Sequence, residues 1–153
     1  MGRQPVNVLV FPFRKNEDGE YEYAIFKRAD MGFWQGISGG VDGNEAYFET
    51  AKREAYEEAG IPGTCVLYKL NTIASIPANG YPASKEWGPK VYIIPQYYFA
   101  IEVNDPNLKL SIEHTEYKWV NYKDAEELLL WQSDKIGLFE LNSRLMNEDM
   151  ENC

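Results

Sequence analysis

The chain has 153 residues, 44% of them hydrophobic and 14% aromatic, enough to bury roughly 70% of its unfolded surface in one domain and too apolar for a disordered chain. A formal charge of −9 argues against a general nucleic-acid binder but admits a phosphorylated small molecule, provided a divalent cation stands between the two negative partners. No apolar run approaches the roughly 20 residues of a membrane helix, residues 1–13 lack a secretory signal pattern, and two cysteines, Cys65 and Cys153, make no disulfide framework, so a cytoplasmic setting is expected.

Residues 6–13 (VNVLVFPF) read as a buried strand, with Pro12 restricting it to an edge or a strand end. NEDGE at 16–20 is a turn and YEYAIFK at 21–27 alternates as a second strand, which predicts a hairpin. Residues 32–44 (GFWQGISGGVDGN) are too glycine-rich and irregular for a long element. Asn44 offers an N-cap to a helix over 45–59, which Gly60 and Pro62 end. CVLYKLNTIASI (65–76) and KVYIIPQYYFAIEV (90–103) read as longer strands around a polar, aromatic loop, PANGYPASKEWGP (77–89). EYKWV (116–120) is a short strand. Helices over 121–131 and 133–146 follow, the second capped by Ser133, and residues 148–153 read as a frayed tail. Strands and helices mix without regular βαβ alternation, which favours a mixed sheet with helices on its faces.

The helix over 45–59 carries REAYEEAG at 53–60. Positions three and four apart share a helix face, so Glu54, Glu57 and Glu58 project to one side, while Ala51 and Ala55, with Tyr47 or Phe48, suit packing on a sheet. Like charges about 5 Å apart at an effective dielectric near 20 repel by roughly 3 kcal/mol per pair. In a partly buried groove that repulsion calls for a cation, and hard oxygen ligands select Mg2+. Taken alone the segment reads as a solvated acidic face, but its flanks add a fixed spacing: Gly39-x5-Glu45-x7-Arg53-Glu54-Ala55-x-Glu57-Glu58-x-Gly60-Ile61.

This spacing resembles the signature of the Nudix hydrolases, G-x5-E-x7-R-E-U-x-E-E-x-G-U with U a bulky aliphatic. Ala55 is the one departure, at a packing position rather than a ligand position. The resemblance implies a single domain over 1–153, an α/β fold of the α+β type: an α/β/α sandwich around a mixed sheet, with residues 39–61 as a loop-helix-loop. It implies Mg2+-dependent attack of water on a phosphoric anhydride, with Mn2+ as a substitute. By position, Glu54, Glu57, Glu58 and the Gly39 or Gly40 carbonyl would serve the metal. Glu54 is either a ligand or the base, and Arg53 and Glu57 belong to the catalytic set. Glu45 is expected to brace Arg53.

Two further stretches, 27–40 (KRADMGFWQGISGG) and 113–135, resemble the subgroup that hydrolyses dATP and dihydroneopterin triphosphate, with Ser133-Asp134-Lys135 in place of a Ser-Asn-Lys turn. That likeness implies a metal carboxylate outside the signature at Glu113, with Glu116 its competitor. It also implies substrate phosphate contacts at Lys27 and Ser38, joined by Arg3. Trp34, Tyr81 and Trp87 are candidates to stack on a base, and the lone His114 is expected to be structural. The expected reaction converts a (deoxy)nucleoside triphosphate or dihydroneopterin triphosphate to a monophosphate and pyrophosphate. The expected partner is thus a small molecule, not a nucleic-acid polymer or a membrane; monomer and homodimer stay open. Pro77, sixteen residues after Ile61, supports a competing reading as an ADP-ribose or nucleotide-sugar hydrolase. A third reading is a Nudix-fold module that binds a nucleotide without cleaving it.

Overall fold

The computed structural model describes residues 2–150. Its strands are β1 (Arg3–Lys15), β2 (Tyr21–Arg28), β3 (Trp34–Gln35), β4 (Ile37–Asp42), β5 (Leu67–Pro77), β6 (Ile93–Glu102) and β7 (His114–Val120). Its helices are α1 (Tyr47–Ala59), α2 (Ser84–Trp87), α3 (Tyr122–Leu128) and α4 (Gln132–Met146). Among the described residues the strands form one mixed sheet in the order β3-β2-β1-β6-β5, with β4 added to β1 and β7 to β2. β1 and β6 are parallel; the other pairings are antiparallel.

Alternation along β1 divides the core. Val8 and Val10 face α1, packing with Ala51, Ala55, Ala59 and Phe26. Leu9, Phe11 and Phe13 face the opposite layer, with Leu129 beyond α3 and Leu138 and Leu141 of α4. Both faces are covered, which is why the strand reads as a continuous apolar run. The alanines that α1 buries let it sit close to the sheet, and Ala55 has no exposed surface.

Three local expectations are corrected and one is refined. Pro12 lies in a central strand, not at an edge or end. It falls where β1 exchanges partners, after Val10 pairs β4 and before Phe13 pairs β2, so no ladder bond is required of its missing N–H on that side. The glycine-rich 32–44 stretch contains β4, held as a strand by pairing Asn7–Val10 with Ile37–Gly40. Asn44 is not the cap of α1: Ala46 is, and its N–H donates to the Glu49 carboxylate at 2.8 Å. Trp131 rather than Ser133 caps α4. Gly60 ends α1 as expected, at φ 68°, where a glycine fits without strain. Of the segment expected to fray, residues 148–150 turn back on α4, with the Asp149 N–H donating to the Arg144 carbonyl; residues 151–153 lie outside the described residues.

Candidate active site

The loop-helix-loop of residues 39–61 is closed by one guanidinium. Arg53 donates from Nε and Nη2 to the two Glu45 oxygens at 2.7 and 2.9 Å, from Nη1 to Glu54 at 2.8 Å and Glu57 at 3.2 Å, and from Nη2 to the Gly40 carbonyl at 2.9 Å. Glu45 is fixed in turn by the Thr50 hydroxyl at 2.8 Å and the Asp42 N–H at 3.1 Å. The Arg53 hydrogen bonds hold its carboxyl down at about 2. Glu45 therefore braces Arg53, and Arg53 spans strand, loop and helix.

The three helix carboxylates do not share one environment. Glu57 is half exposed, whereas Glu54 and Glu58, one turn apart, point inward. Glu54 lies so close under Gly39 that a Cβ there would sit 2.1 Å from its carboxyl carbon. Burial is the main force pushing the Glu54 carboxyl up to about 7, with Arg53 pulling the other way. Glu58 is buried, and one of its oxygens has no hydrogen-bond partner. Desolvation first, and then Glu113 within hydrogen-bonding reach, push its carboxyl far above the ordinary carboxylate range. Two carboxyls can hydrogen-bond each other only by sharing a proton.

Glu113 reaches this position because the segment before β7 is pinned to the end of α1. Lys109 N–H donates to the Ala59 carbonyl at 2.9 Å and Ser111 N–H to the Glu58 carbonyl at 3.3 Å; Ala29 N–H donates to the Glu113 carbonyl at 2.9 Å. Glu116 is elsewhere, across from Lys27 in the β2–β7 ladder with an Nζ–O distance of 4.0 Å. The basic charge that acts on both Glu58 and Glu113 is Arg28, which Asp30 also holds at 2.7 Å, rather than Lys27. Neighbours along a strand point to opposite faces, and Arg28 shares the face that carries Phe26.

Other sequence candidates are distributed as follows. Ser38 accepts from Asn7 Nδ2 at 2.9 Å, and Arg3 donates to Asn7 Oδ1 at 2.8 Å. Trp34 is partly buried against the α3–α4 layer, with Lys118 Nζ 5.1 Å above its ring. His114 is buried against Phe26, and burial lowers its pKa, so the ring is neutral core material at neutral pH. Sequence reasoning missed the buried polar chain beside Arg3: Asn7 donates to Gln96, Gln96 to the Tyr98 hydroxyl, and Tyr98 to Asp134. Buried polar residues on otherwise apolar strands, Asn7 and Gln96, are the signal that could have found it.

Among the described residues no three His, Cys, Asp or Glu side chains close on one point as they stand, because Glu54 and Glu57 are both turned to Arg53. The donor set nonetheless fits a hard divalent cation: buried carboxylate oxygens, one of them unpartnered, next to the Gly39–Gly40 stretch of β4, which carries no side chains.

Comparison with known proteins agrees with this geometry. The NUDIX domain profile matches residues 3–141. The chain is similar to a crystal structure assigned to the NUDIX hydrolases from Listeria monocytogenes, at 41% identity and a TM-score of 0.87, covering 97% of this chain and 99% of that one. It is 26% identical to the dihydroneopterin triphosphate diphosphatase of Haemophilus influenzae, over 84% of this chain and 81% of that protein. It is 31% identical to the asymmetrical bis(5'-nucleosyl)-tetraphosphatase of Mus musculus, over 82% of each. With the signature spacing, the arginine-braced loop and a family match over most of its length, the chain belongs to the NUDIX family and is a Nudix hydrolase acting on phosphoric anhydrides.

Proposed function

We propose that the protein is a Mg2+-dependent pyrophosphohydrolase that cleaves a (deoxy)nucleoside triphosphate or dihydroneopterin triphosphate to the monophosphate and pyrophosphate. The observation that carries this reading is the buried Glu58, whose unpartnered oxygen lies beside Glu54 with the exposed Glu113 carboxyl within reach. Carboxyls gathered this closely, one of them out of water, call for a proton or a cation between them. Glu54, Glu57, Glu58, Glu113 and the Gly39 carbonyl would hold the ion, Mg2+ or Mn2+ in its place. When bound it lowers the pKa of water, polarises a phosphoryl oxygen and orients the anhydride.

The chain's own residues do the rest. Glu45 and Arg53 fix Glu54 and Glu57, holding Glu54 against Gly39 of β4, and Glu54, poised near 7, would take a proton from water or bind the ion. Ser38 and Arg3 would contact substrate phosphates, and Trp34 the base. Arg28 would take the phosphate role expected of Lys27, because its charge acts on Glu58 and Glu113 whereas Lys27 faces Glu116. The dihydroneopterin triphosphate relative supports the triphosphate reading. No helix among the described residues is long and apolar enough to cross a membrane, and the cysteine usage supports a cytoplasmic setting.

The match to the mouse tetraphosphatase favours a second reading, a dinucleoside polyphosphate as substrate. Incubation with Mg2+ and dATP, the other nucleoside triphosphates, dihydroneopterin triphosphate, ADP-ribose and diadenosine tetraphosphate, with products separated, decides between them. Monophosphate and pyrophosphate from a triphosphate is the expected result. Exclusive cleavage of the dinucleotide or of ADP-ribose would overturn it.

A further inference from the structure

Arg14, Arg28, Arg53 and Arg144 each pair with a carboxylate. Arg3 pairs with none among the described residues, in a chain with a formal charge of −9. It is nonetheless held at several points. The guanidinium lies 4.5 Å from the centroid of the Tyr81 ring, donates to Asn7 Oδ1 at 2.8 Å, and has a buried Nε with no partner. Its main-chain carbonyl accepts from the Trp87 indole N–H at 2.8 Å. Trp87 also packs on Tyr81, with ring centroids 6.3 Å apart.

Gly40 completes the seat, since a Cβ there would fall 2.1 Å from Arg3 Nε. Its neighbour Gly39 makes the same kind of room for Glu54. Successive strand residues face opposite ways, so the glycine pair has the carboxylates on one side and Arg3 on the other. A ligand crossing that rim with one phosphate at the carboxylates meets the guanidinium with another. A planar fork fixed without a protein anion is suited to take two oxygens of a phosphate from outside.

We propose that the segment between β5 and β6 is a clamp in which Tyr81 and Trp87 are positioning residues, holding Arg3 against Gly40 to grip a substrate phosphate that the carboxylate cluster does not reach. This rests on the phosphoric-anhydride reading of the same site. It also reassigns both rings. Arg3 covers one face of Tyr81, and the Trp87 N–H is committed to the main chain, so they serve the substrate through Arg3.

Two variants test it. Tyr81→Leu removes the ring face, and Trp87→Phe removes only the indole donor, which keeps the test alive if the first variant misfolds. The cation–π contact is large enough for KM of the preferred triphosphate to rise about three- to thirtyfold in Tyr81→Leu, with kcat within about twofold. In an Arg3→Ala background the same substitution should change KM by less than about twofold, because the group it positions has gone. Arg3→Lys should not restore affinity, since an ammonium lacks the fork. Affinity for inorganic tripolyphosphate, measured by calorimetry with Mg2+, should fall in parallel. An equal KM effect with and without Arg3 would overturn the clamp, as would an unchanged KM in both variants. If none of the tested nucleotides is cleaved but tripolyphosphate binding follows the same pattern, the clamp stands and the substrate reading fails.

Discussion

Replacing Glu58 by glutamine separates two roles of one carboxyl. In the metal-free protein the group is buried, faces Glu113 and is held uncharged at neutral pH, so the amide replaces an acid of the same shape and charge. The metal-free Tm near pH 7 should therefore shift by no more than the 2–4 °C that about 1 kcal/mol produces in a chain of this size. The metal response should differ sharply. A divalent ion at a hundredfold excess over its Kd stabilises the native state by about 2.7 kcal/mol. That corresponds to a rise of roughly 5–11 °C in the unaltered protein. Without the Glu58 charge most of that rise should vanish, and turnover should fall by on the order of a hundredfold. Thermal melts with and without saturating MgCl2, alongside initial rates, read both effects. A metal-free Tm lowered by more than about 10 °C would mean that Glu58 is ionised and paired in the fold. An undiminished magnesium shift would sink its assignment as a ligand.

Four other outcomes are expected. Gly39→Ala should displace Glu54 and cut kcat by roughly ten- to a hundredfold while overpacking costs about 1–3 kcal/mol of stability; near-normal rates would show that Glu54 need not lie against Gly39. Glu113→Gln should reduce turnover far more than Glu116→Gln, and the reverse ranking in parallel assays would refute the placement argued from Glu58. The Glu54 carboxyl is raised in the fold, so its contribution to metal-free stability is complete below pH 4.5 and is lost as pH rises through about 7. The metal-free Tm should thus decline between about pH 5 and 8, and Mg2+ binding should release protons near pH 7, which calorimetry in buffers of different ionisation enthalpy detects. A Tm that climbs over that range would contradict the assignment. Finally, Glu140 accepts from Asn71 N–H, Thr72 N–H and the Thr72 hydroxyl where the β5–β6 register slips. Glu140→Ala should lower stability by about 1–3 kcal/mol in denaturant melts and leave kcat unchanged.

Much of the site was legible because its spacing is local. Arg53, Glu54, Glu57 and Glu58 lie within two helical turns, and the glycines and Glu45 stand at fixed offsets from them. The helix end at Gly60 was legible for the same reason. What escaped depended on distant pairing. Glycines at 36, 39 and 40 hide β4 from any propensity argument, and the strand exists because β1 supplies its ladder. Lys27 and Arg28 differ by one step along a strand, and only the register decides which faces the carboxylates. The chain of Asn7, Gln96, Tyr98 and Asp134 joins positions up to 89 residues apart in a single contact, beyond any local pattern. Ala46 became the cap of α1 because the Glu49 carboxylate, two positions inside the helix, reaches back to its N–H.

The way Arg53 closes the loop around 39–61 bears on the order of assembly. A zinc finger must find its ion before it can fold, so ion and architecture are gained or lost together. Here an internal guanidinium ties strand, loop and helix together through hydrogen bonds the chain supplies itself. Under the metal role proposed above, an ion would add charge to a finished frame instead of building it. Such an ion could enter with each anhydride and leave with its products without the frame being remade.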